Sequence, residues 1–429
     1  MTVSSDVLVL GDGVAGYAAV LQCVDARKRV CVLTQGPGSS ALSSGAWDLG
    51  GIAPDFNGSL EEWVGRSSGF VDQLLVGSRH WFDIDSIRKH FDWLVSSFQP
   101  ELKLVYSMEK PFCIPTSSGD WKRTFCVQEI QSRCDLSRFS GKRLGVLESK
   151  GWRFRSDLML SAWKEKAKRT FGTELDLVLL GIDSDGAGDM PLAHVATRLQ
   201  SDTKYRAAVQ ESIATRLRQS ACDVLLCPPL FLNAVLADTW QEEFRIPVAE
   251  CLSTVEPVAG YRLHHAIQAG LKRLEIPHFL VSGVEADRSQ SRISSLRARG
   301  GTQSEWQEYS ADHFVLATGK FLGGGIDFGY HTVHEVIFDL PLFRSRGEEP
   351  VKHRGQLGLE GQSFQEAQPW ACLGVRLDSK WRPSDSQEVC VFENVSACGS
   401  VIGGIDFARE GVGLGFFSLT GRECVQSIP

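Results

Sequence analysis

The sequence predicts an α/β fold: a Rossmann-like domain built from two pieces, with a mixed α/β domain inserted between them. Three observations carry this reading. The apolar run Asp6-Val7-Leu8-Val9-Leu10 leads directly into Gly11-Asp12-Gly13-Val14-Ala15-Gly16, the spacing G-x-G-x-x-G. Far down the chain, Asp312 to Leu316 forms a second buried-strand pattern that ends in Ala317-Thr318-Gly319. Between them, from about Pro54 to Glu250, the pattern changes to alternating helical and strand-like segments. The boundaries expected are residues 1–53 and 251–429 for the discontinuous domain and 54–250 for the insertion.

The elements follow in order. Gly11 permits the tight turn out of the first strand, Gly13 lets a phosphate approach the backbone, and Gly16 lets the helix pack closely on the strand. A helix over Val14 to Arg27 then aims its free N–H groups and positive dipole end at an anion. A second strand over Arg29 to Leu33 normally ends in a carboxylate that holds an adenosine ribose. Here that position is Thr34, followed by Gln35. The Gly/Ser-rich segment from Gln35 to Gly51, with Ser43, Ser44 and Gly45 at its centre, leaves backbone amides and hydroxyls free to contact a flat ligand.

In the insertion, Phe82, Ile84, Ile87, Phe91, Leu94, Val95 and Phe98 keep helical spacing. Arg143 to Leu147, Leu175 to Ile182 and Cys222 to Cys227 read as strands, with helices near Arg155 to Arg169 and Lys204 to Gln219. After Cys251 a helix near Gly260 to Leu274 leads into the strand His278 to Val281. The charged, turn-rich stretch Ala286 to Ser310 predicts an antiparallel excursion before the strand that ends in A-T-G. A last strand ends at Ala397-Cys398-Gly399, and glycine-rich turns lead to a terminal helix from about Gly411. In that tail Gly399, Gly403, Asp406, Gly411 and Gly413 are expected either to direct backbone amides at the carbonyls of a flavin ring, stabilising charge on its reduced form, or to allow close helix packing that needs small residues.

Composition narrows the function. The chain has 429 residues, 43% hydrophobic and 23% charged, as in an ordinary globular protein. A net charge of −7 argues against nucleic acid as the main partner. The fingerprint strand begins almost at once, so no secretory leader is expected. The best candidate for a membrane-spanning run, Val224 to Leu236, is broken by Pro228, Pro229 and Asn233, so any membrane contact is expected to come through a partner. The twelve cysteines form no C-x-x-C, and neither a metal site nor an iron–sulfur cluster is expected in this chain.

The segments Ser39 to Leu49, Val255 to His264, Ala317 to Gly325, His334 to Leu340, Gln368 to Pro383 and Asn394 to Gly413 resemble the B subunit of anaerobic glycerol-3-phosphate dehydrogenase. The matching stretches are S-A-L-S-S-G-x-x-D-L at Ser40 to Leu49, P-x-x-G-x-R-L at Pro257 to Leu263, A-T-G-x-F-x-x-G-G at Ala317 to Gly325 and G-S-V-I-G-G-x-D at Gly399 to Asp406. The resemblance covers nearly the whole chain. It departs at Phe416-Phe417, where the family commonly has smaller residues. The resemblance implies a flavoprotein that pairs with a larger flavin-carrying A subunit. The pair would dock on an iron–sulfur, membrane-anchoring C subunit. The complex would convert sn-glycerol 3-phosphate and quinone to dihydroxyacetone phosphate and quinol at the cytoplasmic face of the inner membrane. It implies FMN, with FAD the alternative; a missing ribose acid fits a flavin without an adenosine half.

Oxidation of a phosphorylated polyol needs a base for the hydroxyl proton and a cation for the phosphate. Arg262 and His264, two residues apart at a helix start, are the candidate catalytic pair, or else groups of a helix surface or of an interface with a partner. Asp48 and Asp406 are candidates to bind ribityl hydroxyls or to stabilise turns. A non-catalytic electron-transfer or scaffold role, and a flavin oxidoreductase acting on another small hydroxy acid, remain the alternative readings.

Overall fold

The structure, a computed structural model, describes residues 2–71, 82–139, 141–154, 156–172, 174–183, 189–254, 256–300, 305–345, 347–357 and 368–428. Val255, which opens one family-like segment, Arg155, and residues 301–304 of the expected excursion lie outside the described residues.

Strand β1 (Thr2–Leu10) leads through helix α1 (Val14–Asp25) to β2 (Val30–Thr34), which pairs parallel to it, Val7 to Leu10 against Val30 to Leu33. These strand residues are almost wholly buried, as a parallel sheet covered on both faces requires. Helices α2 (Leu60–Val71) and α3 (Ile84–Ser97) follow. Both fall in the segment expected as insertion, yet Leu60, Trp63, Ile87, Phe91 and Leu94 enter the same core as β1 and β2. The reason is the narrow apolar stripe of α3, which has only one face to bury. That face continues into Phe98, whose ring meets Tyr17 and Trp47 edge-on at 5.1 Å each. Asp83 caps α3 by accepting from Ser86 N at 2.8 Å.

The chain then builds a second core. Strands β3 (Phe112–Pro115) and β4 (Trp121–Thr124) form an antiparallel hairpin. Strands β5 (Arg143–Ser149), β6 (Asp176–Ile182), β7 (Val224–Cys227) and β8 (Val248–Glu250) make a parallel sheet in the order β8-β7-β5-β6. Leu144, Val146, Leu226 and Trp240 are among its buried residues, and Trp121 carries the hairpin into the same cluster.

Helix α4 (Val258–Arg273) returns the chain to the first sheet. Strand β9 (His278–Ser289) starts parallel to β2 through His278 to Leu280, then diverges into an antiparallel meander with β10 (Arg292–Gly300) and β11 (Trp306–Leu316). The expected excursion is therefore present, longer than its charged sequence indicates. Strand β11 pairs parallel with β1 over nearly all its length, and β12 (Val395–Ala397) adds on the far side. Helix α5 (Leu414–Gln426) closes the fold against α1. Among the described residues no helix is long and apolar enough to cross a membrane.

Candidate functional site

A cavity of about 630 Å³ opens where β1, β2 and β11 end together, so their three connections form its walls. At the end of β1, Gly11 has φ +108° and donates its N–H to Leu33 O at 2.8 Å. A Cβ there would stand 2.5 Å from Ala317 O, and one on Gly16 would stand 1.9 Å from Gly11 O. These two glycines let the strand, the helix and the A-T-G turn meet. Gly13 differs: a Cβ would meet Ser40 Oγ at 3.4 Å and nothing else closer than 4.0 Å, so the space beside it lies open as a cradle in front of α1. Val14 N donates to Ser40 Oγ at 3.3 Å, which folds the Gly/Ser-rich segment over that helix start.

The end of β2 is closed by protein. Thr34 Oγ1 lies 2.9 Å from both Asp12 Oδ1 and Gly36 O. Asp12 Oδ2 accepts from Gln268 Nε2 at 2.8 Å and stands 3.3 Å from His278 Nε2. Burial works to raise the Asp12 pKa, but His278, Thr34 and Gln268 together hold it below its ordinary value. Thr34, where a carboxylate is expected, is thus bonded to the Asp12 carboxylate at the end of β1.

At α5, Asp48 O accepts from Gly413 N (3.2 Å) and Phe416 N (3.0 Å), which fixes Asp48 at the helix start. The residue is 6% exposed, and its Oδ2 stands 2.6 Å from Lys122 Nζ of β4. Asp48 Oδ1 has no hydrogen-bond partner; neither do the buried Ser43 Oγ and Thr318 Oγ1, and all three residues line the cavity. Apolar walls come from Val281, Val336, Ile337, Phe407 and Phe417. Val336 and Ile337 are held there by the Glu335 carboxylate, which accepts from Ile337 N and Phe338 N at 2.9 and 2.7 Å. Lys320 Nζ donates to Ala371 O and Ile405 O and lies 4.4 Å from the Phe407 ring centre; burial pushes its pKa down to about 7.

Of the residues expected to face a cofactor, Gly11, Gly13, Thr34, Ser43, Ser44, Ala317, Thr318, Gly319, Gly399, Gly411 and Gly413 line this cavity. Gly16, Gly45, Gly403 and Asp406 do not. Gly16 packs on the turn, Gly45 faces the Gln131 side chain, Gly403 packs on the Gly374 backbone, and Asp406 Oδ1 accepts from Arg409 N in a turn. The expectation for Arg262 requires correction. It is 3% exposed and lies between the second core and α4, where it donates to Gln128 Oε1 (2.5 Å), Glu250 Oε2 (2.6 Å) and Phe231 O. All of its charge is spent on protein groups. His264 does not line the cavity either; it is half-buried on α4, one turn before Gln268, and burial lowers its pKa while the Asp12 charge opposes this. Lys122 is not legible in the sequence as a site residue, because nothing in Asp120-Trp121-Lys122-Arg123 marks it among other hairpin lysines.

A family model described as FAD binding domain matches residues 6–70, which span β1, the glycine fingerprint, β2 and the Ser43 to Asp48 wall. Curated B subunits of anaerobic glycerol-3-phosphate dehydrogenase match over nearly all of the chain. The one from Actinobacillus pleuropneumoniae serotype 5b is 23% identical over 443 residues, covering 99% of this chain and 98% of its own. The one from Vibrio cholerae serotype O1 is 21% identical over 449 residues, covering 99% and 96%. The chain is similar to these B subunits over nearly all of its length. Among solved structures, the open conformation of a flavocytochrome c3 fumarate reductase aligns with 99% of this chain and 78% of its own, at 10% identity and a TM-score of 0.39. The 3-ketosteroid-Δ4-(5α)-dehydrogenase of Rhodococcus jostii RHA1 covers 99% and 96%, at 12% identity and a TM-score of 0.39.

The fold is an α/β flavin-binding fold, and the role is that of a flavin-linked oxidoreductase. The cavity fits such a cofactor on its own terms. Its cradle beside Gly13 is one that a side chain would fill, and its wall carries buried hydroxyl and carboxylate oxygens without partners. Gly13 and the start of α1 would hold a phosphate, Ser43 and Thr318 would meet polar atoms of the cofactor, and Phe407 and Phe417 would flank its apolar surface. When bound, a flavin supplies the acceptor for a hydride or for electrons. Among the described residues no group of three or more His, Cys, Asp or Glu is placed to hold a metal ion.

Proposed function

We propose that this chain is the flavoprotein member of a complex that oxidises sn-glycerol 3-phosphate to dihydroxyacetone phosphate and reduces quinone to quinol. The observation that carries the reading is the cavity at the shared end of β1, β2 and β11, set in a chain that matches B subunits from end to end. The cofactor is a flavin, FMN or FAD. The complex would include a larger flavin-carrying A subunit. It would also include an iron–sulfur C subunit, through which this chain would reach the cytoplasmic face of the membrane.

A second reading makes this chain the electron relay while its larger partner oxidises the polyol. One observation favours it. Among the described residues Lys122 is the cation on the cavity wall, and it is already paired with Asp48; Arg262 is consumed elsewhere. A phosphate-bearing substrate is better held by bidentate arginine than by one engaged lysine. Anaerobic addition of glycerol 3-phosphate to the purified chain separates the readings. Bleaching of the flavin by the chain alone supports oxidation here. Bleaching only after the larger partner is added supports the relay, and no bleaching in either case overturns the proposed substrate.

A further inference from the structure

Resting on the flavin reading, we propose that Lys122, held by Asp48, is the cation that sets the reduction potential of the bound flavin, and that the second core delivers it.

Position is the first argument. The start of α1 and the Gly13 cradle mark the phosphate end of the cavity. Helices α1 and α5 run side by side in one direction: Gly421 packs on Ala15 with no room for a side chain, and Arg422 and Gln426 reach Gln22. The residues from Leu414 to Gly421 therefore carry the start of α5 about 10 Å beyond the start of α1 at 1.5 Å per residue. Asp48 is bonded to that distant helix start, and Lys122 to Asp48. The pair thus sits at the end of the cavity away from the phosphate, where the ring of a flavin belongs.

Charge is the second argument. The charged residues on the described wall are Asp12, Asp48 and Lys122. Asp12 has both oxygens engaged at the opposite end. Asp48 has one oxygen on Lys122 and one without a partner, in a residue only 6% exposed. Two electrons and one proton leave a single negative charge on a flavin ring, so a nearby ammonium stabilises the reduced form and a nearby carboxylate opposes it. In this enclosed setting such charges act more strongly than in water.

Delivery is the third. Lys122 lies on β4 between Trp121, buried in the second core, and Arg123, whose Nε donates to Pro54 O at 2.8 Å. The hairpin is pinned on both sides of the lysine, so its ammonium is held by the fold rather than by a free side chain.

The test is spectroelectrochemical titration of the flavin in the purified full-length chain. Lys122→Gln should lower the equilibrium constant for two-electron reduction at least tenfold, about 30 mV downward. Asp48→Asn should move the potential upward, and Lys122→Arg should leave it close to the parent value. Opposite shifts from two members of one pair are not produced by a merely structural defect. Unchanged potentials in Lys122→Gln and Asp48→Asn, or shifts of the same sign, overturn the inference while leaving the flavin reading intact. A chain that binds no flavin overturns that reading and the inference with it.

Discussion

Two acid–base pairs, Glu250–Arg262 and Asp48–Lys122, are built for different ends. Glu250 accepts from Leu230 N, Phe231 N and Arg262, and Arg262 also satisfies Gln128 and Phe231 O. Every charged group there has a protein partner, and the pair joins the second core to the helix that returns to the first sheet. Asp48 and Lys122 also join the two cores, but one carboxylate oxygen is left without a partner and the lysine is partly exposed to the cavity. A closed network is a clamp. An open one, on a cavity wall, is what we propose as a site.

Removing one member of the closed pair should have the largest effect. Arg262→Ala strands Glu250 in a dry core, and a loss of about 3–5 kcal/mol is expected in urea unfolding, whereas replacing both Arg262 and Glu250 by apolar residues of similar volume should restore much of it. If Arg262→Ala instead unfolds normally and loses only turnover, the clamp assignment is wrong.

A smaller effect comes from acid. Burial pushes His90 down to about 3 and His313 down to about 4, each bonded to a serine hydroxyl, Ser418 and Ser396. Above the unfolded value of about 6.5 both states are neutral and this stability is fully present. As pH falls, the unfolded chain takes up protons that the native chain refuses, so stability declines from about pH 6.5 down through the folded values. At pH 5 the loss is on the order of 2 kcal/mol per histidine. Measuring unfolding at pH 7.5 and 5, with His90→Gln and His313→Gln as controls, checks the slope; a flat profile contradicts it. These losses come from the cores and leave the contrast between the two pairs unchanged.

The smallest stability effect is expected at the open pair. Lys122→Gln should cost about 1 kcal/mol, well below Arg262→Ala, because the lysine is partly exposed and the glutamine amide can still donate to the buried Asp48 carboxylate. A large loss there would make Lys122 a second clamp and erase the distinction.

Much of this is legible in the chain. The fingerprint, the A-T-G turn and the tail glycines place one wall of the cavity, because close backbone approach demands glycine wherever it occurs. Asp12 is in plain view but its role is not: that depends on Gln268 and His278, which only the folded α4 and β9 bring to it. Arg262 looks catalytic because a motif holds arginine and histidine two residues apart, yet burial decides such a role and spacing does not record burial. Helices α2 and α3 group with the insertion by their place in the sequence, while their apolar faces follow the first core. Lys122 cannot be found in the sequence at all, since its significance comes from a contact across the chain to Asp48.

The central claim is that the cavity holds a flavin with its phosphate beside Gly13. Gly13 has φ −63°, so a side chain there causes no backbone strain and fills the cradle. The direct measurement is the amount and mass of the cofactor released on denaturing the purified full-length chain, compared with Gly13→Val. The account predicts a stoichiometric flavin from the parent chain, FMN or FAD by mass, and a folded variant with that flavin lost. A flavin-free parent, or a variant that retains its flavin undiminished, would contradict it.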